Sequence, residues 1–162
     1  MRALILGIGL TCLLAACDQN KQQGSVVVSQ NGQVSVSANG EHLTVTDAKN
    51  KETVNYSSNG LASANLPSFV PLYPGAKVTT SVVGSGTANG GTIVFVTSDS
   101  PEAVIAYYKQ KSAAAGFAQT ANMNMGGMTM FTATADAQKK SLQVMASTQN
   151  GKTQGQIVWG QK

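Results

Sequence analysis

Four methionines crowd one short stretch, Met123-Asn-Met125-Gly-Gly-Met128-Thr-Met130. If Gly126-Gly127 is a two-residue hairpin loop, Met125 pairs with Met128 and Met123 with Met130. Residues i and i+2 share a face with their cross-strand partners, so all four thioethers would lie on one side of the hairpin. Soft sulfur ligands without a thiolate favour Cu(I), and an oxidising compartment is where methionine can do that job while cysteines oxidise. The same side chains suit two other duties, filling an irregular core or covering an adaptable partner surface, because the flexible thioether fits many shapes. The other side of the hairpin carries Phe131, Ala133 and Ala135, equally able to meet a core, so either face can be the buried one. Met123, Met125, Met128 and Met130 are thus candidate metal ligands for Cu(I); no other cofactor is expected.

The second reactive residue is Cys17. After Met1 and Arg2 the run from Ala3 to Leu14 is apolar apart from Thr11. It is too short for a bilayer span of about 20 residues and suits the core of a signal peptide. The run ends Leu14-Ala15-Ala16-Cys17, which looks like the lipobox of a bacterial lipoprotein. There the thiol of the last residue is alkylated by a diacylglyceryl group before cleavage, and the small residues at 15 and 16 let an extended chain fit the peptidase. Removal of residues 1–16 takes Cys12 away, so no intramolecular disulfide is possible. Two or three palmitate-class acyl chains hold a protein to a membrane effectively for good, at about 0.8 kcal/mol per buried CH₂. In enterobacterial lipoproteins an aspartate in the position of Asp18 resembles an inner-membrane retention signal, which favours the inner over the outer membrane.

No catalytic constellation stands out. The one histidine, His42, sits beside Glu41 and reads as an exposed strand-end residue. Beyond Asp18 the acids Glu41, Asp47, Glu52, Asp99, Glu102 and Asp136 fall in turns or caps. A glycosidase would need two of them facing across a cleft, the enzyme reading that stays open. Gly84-Ser-Gly86 and Gly90-Gly91 lack the lysine and helix context of a phosphate loop. With Arg2 the only arginine and a formal net charge of +4, the chain has no Arg-rich patch for nucleic acid.

The elements that must position these residues are mainly strands. Only 11% of the 162 residues are charged while 42% are hydrophobic, which disfavours helical bundles, coiled coils and disorder. Residues 17–25 read as a lipidated tether. Residues 26–56 alternate apolar and polar residues between Asn-Gly pairs and predict a small meander whose inward residues are Val26, Val28, Val34, Val36, Leu43, Val45, Val54 and Tyr56. Such a sheet is marginal alone and must lie on the next domain, on a partner or on its own repeat. Residues 57–74 form a linker and a Pro-rich strap, with Pro74-Gly75 suited to a type II turn. In 75–162 strands are expected over 77–83, 91–97, 117–125, 128–135, 141–147 and 154–159. One helix starts at Ser100-Pro101-Glu102, runs to about Ala115 and stops at Gly116. Its apolar stripe is Val104, Ile105, Tyr108 and Ser112. Tyr107 and Trp159 read as packing residues that make no aromatic ligand platform. The expected fold is α+β, an antiparallel sheet with one packed helix, preceded by the small N-terminal meander.

Leu72-Tyr73-Pro74-Gly75-Ala76, Ser100-Pro101-Glu102, Tyr107-Tyr108-Lys109 and Gly116-Phe117 together resemble a recurrent module of uncharacterised bacterial lipoproteins. In these a Tyr-Pro-Gly-Ala strap precedes two strands and a helix. The resemblance covers roughly residues 66 to 160 and implies an α+β fold with no known activity. The chain is thus expected to be a lipid-anchored, periplasm-facing, non-catalytic binding or accessory module. Its partners are the membrane, through Cys17, and an envelope protein, but not nucleic acid.

Overall fold

The computed structural model describes residues 23–28, 34–39, 41–47, 49–61, 66–86 and 89–161, with side chains from residue 41 onward. The expected signal peptide, Cys17 and Asp18 lie outside the described residues, as do the side chains of Val26, Val28, Val34 and Val36. In chain order the strands are β1 (Gln23–Val28), β2 (Val34–Asn39), β3 (His42–Asp47), β4 (Glu52–Ser57), β5 (Lys77–Ser85) and β6 (Gly90–Thr97). After the helix α1 (Pro101–Ala114) come β7 (Ala118–Met125), β8 (Met128–Ala135), β9 (Lys140–Gln149) and β10 (Lys152–Gln161), with a 3-10 turn at Asp136–Gln138 before β9.

Local chemistry explains most boundaries. Gly126 and Gly127 take φ of 55° and 85°, and Asn150 and Gly151 take 50° and 73°, the consecutive left-handed residues of a type I′ hairpin. The Ser100 hydroxyl accepts from the Ala103 amide at 3.2 Å, capping the helix over Pro101. At the other end Gly116, at φ 80°, donates to the Ala113 carbonyl and Phe117 to that of Ser112, the paired bonds of a Schellman stop. The buried stripe holds Val104, Ile105, Tyr108 and Ser112 as expected, and Pro101 as well.

The meander corrects the expected architecture, because it is no separate unit. β4 pairs directly with β5, Tyr56 opposite Val82 and Ser57 opposite Ser81. The described residues therefore build one antiparallel sheet of ten strands in the order β1-β2-β3-β4-β5-β6-β10-β9-β8-β7. Among the described residues the fold is mostly sheet with a single helix, in place of a small meander followed by a helix-bearing module. The physical reason lies at the strand edges. Face-on packing would have left the outer amides and carbonyls of β4 and β5 unpaired, whereas edge pairing satisfies both rows and extends a sheet too small to stand alone.

One face of this sheet is the core. α1 lies against β7–β10, and the strap from Leu66 to Ala76 continues the cover over β5 and β6. Ile93, Val104, Tyr108, Ala133, Val144 and Ile157 are wholly excluded from solvent. Along the β6–β10 pair the core-facing partners run Gly91 with Trp159, Ile93 with Ile157, and Phe95 with Gly155. Each glycine leaves room for the ring beside it. A Cβ on Gly155 would stand 2.2 Å from the Phe95 ring, and one on Gly91 2.5 Å from that of Trp159.

Candidate functional site

The alternation that buries Phe131, Ala133 and Ala135 under the helix turns Met128 and Met130 to the opposite, open face. The hairpin pairs as expected, Met123 with Met130 and Met125 with Met128. The face left undecided by the sequence is therefore settled. Met123, Met125 and Met128 are 45%, 61% and 41% exposed, so these three thioethers are not core filling. Met130 is partly buried.

Pairing with β9 brings a fifth sulfur that the sequence reading missed. Met130 lies opposite Met145, so one row across the sheet reads Met123, Met130, Met145, Gln156, Val94. The next reads Met125, Met128, Ser147, Gln154, Val96. Neither row carries a charge. The Gln143 side-chain amide, on the same face, donates to the Met130 sulfur at 3.2 Å and holds that thioether in place. A shallow hollow of about 160 Å³ opens between these rows, lined by Met128, Met145, Ser147, Gln154, Gln156 and Val94 among others. The alternation of residues 141–147 did put Met145 with Gln143 and Ser147. Its place beside Met130 follows only from the register across the 136–139 turn.

Towards β3 the open face stays apolar. Leu43, Val45 and Val54 are partly buried there and Tyr56 is 37% exposed. Leu43 is opposite Tyr56, Tyr56 opposite Val82 and Val82 opposite Thr92, so the apolar side of the meander continues the methionine-bearing face. It does not turn onto the helix-covered core.

The most perturbed titratable groups, Tyr73 and Tyr108, sit elsewhere, where the strap meets α1. The Tyr73 hydroxyl donates to the Asp99 carboxylate at 2.6 Å. That bond, with burial, pushes its pKa up to about 12, since losing the proton would set two anions side by side. Burial, reinforced by the neighbouring Tyr107, also raises Tyr108. General acid–base work at neutral pH needs shifts in the opposite direction. These hydroxyls are donors with a structural duty. Tyr108 donates to the Pro71 carbonyl at 3.0 Å and Tyr107 to that of Leu72 at 3.2 Å, clamping the strap to the helix. Tyr73 stacks on Phe95 at 6.0 Å and meets Tyr107 edge-on at 5.1 Å. The strap turn closes from the Ala76 amide to the Tyr73 carbonyl over Gly75, at φ 71°. The Tyr-Pro-Gly-Ala and Tyr-Tyr residues are thus two halves of one lock.

The remaining candidates are dispersed. His42 is exposed at the first position of β3, and Asp47 accepts from the Lys49 and Asn50 amides in the next turn. Asp136 lies in the 3-10 turn and Glu102 in the first turn of α1. Among the described residues no group of three or more His, Cys, Asp or Glu could hold a metal. No helix among them is long and apolar enough to cross a membrane.

Residues 77–155, just under half of the chain, match a family model described as START domain-like. The matched span opens with the first residue of β5 and takes in α1 and the methionine corner. No curated protein and no solved structure matches the chain.

Proposed function

We propose that the chain is a membrane-anchored, periplasm-facing bacterial lipoprotein that serves as a non-catalytic binding or accessory module of the cell envelope. The observation that carries this reading is Leu14-Ala15-Ala16-Cys17 closing a short apolar run, with Cys17 as the acylated residue. Its resemblance to lipoproteins with a Tyr-Pro-Gly-Ala strap points the same way, and Asp18 favours the inner membrane. Binding rather than catalysis is supported by the START-like match, since domains of that kind are typically ligand-binding. It is supported too by the dispersal of His42 and the carboxylates and by tyrosines tuned to keep their protons. Two or more acyl chains make the attachment durable, and the partner is another envelope protein.

Cys17→Ser is the test. Acylation, read as the mass of the mature N-terminal peptide, should be lost, and the protein should pass from the detergent phase to the aqueous phase. Unchanged mass and partitioning would overturn the anchored reading.

A further inference from the structure

We propose that the methionine corner of the open face is a Cu(I) site centred on Met130, with Met123 and Met145 as its cross-strand neighbours and Met128 beside them. This goes beyond the anchored binding module and does not depend on the anchor. Four facts converge on it. Apart from Met1, every methionine of the chain lies at this one corner, Met123, Met125, Met128, Met130 and Met145. Elsewhere on the open face the ordinary strand formers Val and Thr recur, at Thr92, Val94, Val96, Thr132 and Val158, with Gln and Ser between them and no further methionine. Three of the five residues are 41–61% exposed, so large apolar side chains stand open to solvent there without filling a core. Neighbouring strands stand about 4.8 Å apart, so the sulfurs of Met123, Met130 and Met145 can converge on one ion by rotation of flexible side chains alone.

The chemistry of this donor set is selective. Thioethers are soft and neutral, which suits Cu(I) and leaves Zn²⁺ and Cu(II) without the nitrogen, oxygen or thiolate ligands they prefer. The sulfur carries no proton, so binding releases none and should be flat with pH, unlike a histidine or cysteine site. Gln143 takes one lone pair of the Met130 sulfur and leaves the other available to a metal ion, an orienting contact on the ligand. Met125, paired with Met128 at the hairpin tip and furthest from Met145, is the outer member.

The test uses the whole protein carrying Cys17→Ser, titrated anaerobically with Cu(I) against a chromogenic Cu(I) chelator. A single ion should be bound, displaced by Ag(I) but not by Zn²⁺, with the same affinity at acidic and neutral pH, and with a sulfur shell in the copper X-ray absorption spectrum. Met130→Leu with Met145→Leu keeps the apolar surface and should abolish binding, whereas Met125→Leu should leave it nearly intact. Gln143→Leu should weaken it about tenfold. Should the double variant lose its circular dichroism, Met145→Leu alone decides by the same criterion. Failure of the parent protein to compete with the chelator, retention of binding in the leucine variants, or a nitrogen and oxygen shell would each overturn the site. None of these outcomes bears on acylation of Cys17.

Discussion

The two faces of the sheet are made from the same strands, yet they behave as different materials. Phe131 and Met130 are neighbours on β8. Phe131 is 1% exposed beneath Lys109 and the helix, whereas Met130 faces outward beside Gln143 and Met145. On the covered side every side chain has a counterpart. Rings lie over glycines, the Ser81 hydroxyl donates to the Gly60 carbonyl at 2.9 Å, and no buried side-chain polar atom among the described residues lacks a partner. On the open side apolar groups alternate with Gln, Ser and Thr and stay half wet. The difference teaches that one side of the sheet carries the packing that stabilises it, while the proposed binding site lies on the side that packing leaves alone. The open side is therefore free to carry residues that strands do not favour.

Substitutions that leave the backbone alone should bring out that contrast. Phe131→Ala opens a cavity under the helix and should cost about 3–5 kcal/mol, read from urea unfolding midpoints. A loss below about 1 kcal/mol would mean that the covered face is as tolerant as the open one. Gly155→Ala should cost about 1–3 kcal/mol, because the new methyl meets the Phe95 ring and β10 has no slack between β6 and β9. Smaller still is the effect of the tyrosine lock. Its folded-state pKa at Tyr73 lies above the ordinary tyrosine value, so its contribution is complete below pH 10 and is lost as pH rises towards about 12. Unfolding midpoints followed across that window should fall, and the fall should shrink in Asp99→Asn, where the ionised partner is gone. The smallest effect belongs to the open face. Met128→Leu should change stability by no more than about 0.5 kcal/mol, and a large loss there would abolish the distinction between the faces.

Much of this was legible residue by residue. The Ser100 cap, the Gly116 stop, the Val104, Ile105 and Tyr108 stripe and the Gly126-Gly127 and Asn150-Gly151 turns are local, decided within a few residues of themselves. So is the sharing of one face by Met123, Met125, Met128 and Met130. What escaped is nonlocal. Nothing near Tyr56 says that it will stand opposite Val82 across the strap, and nothing near Met130 says whether the helix will cover Phe131 or the sulfurs. Met145 joined the site through a register set by pairing of Lys140–Gln149 with β8. The strap residues carried the resemblance to lipoproteins, but their role as acceptors for Tyr107 and Tyr108 hydroxyls emerges only when helix and strap are side by side.

The place of β10 has a consequence for how the chain reaches this state. It follows all the other described strands in sequence and yet sits in mid-sheet, between β6 and β9. Until Lys152–Gln161 inserts, the strands before the helix and the β7–β9 segment are two fragments, each ending in an unpaired edge. The closing step joins residues far apart in sequence, which makes folding slow relative to a meander of the same length. A chain emerging N-terminus first therefore cannot join its two halves into one sheet until the ten residues of Lys152–Gln161 are available.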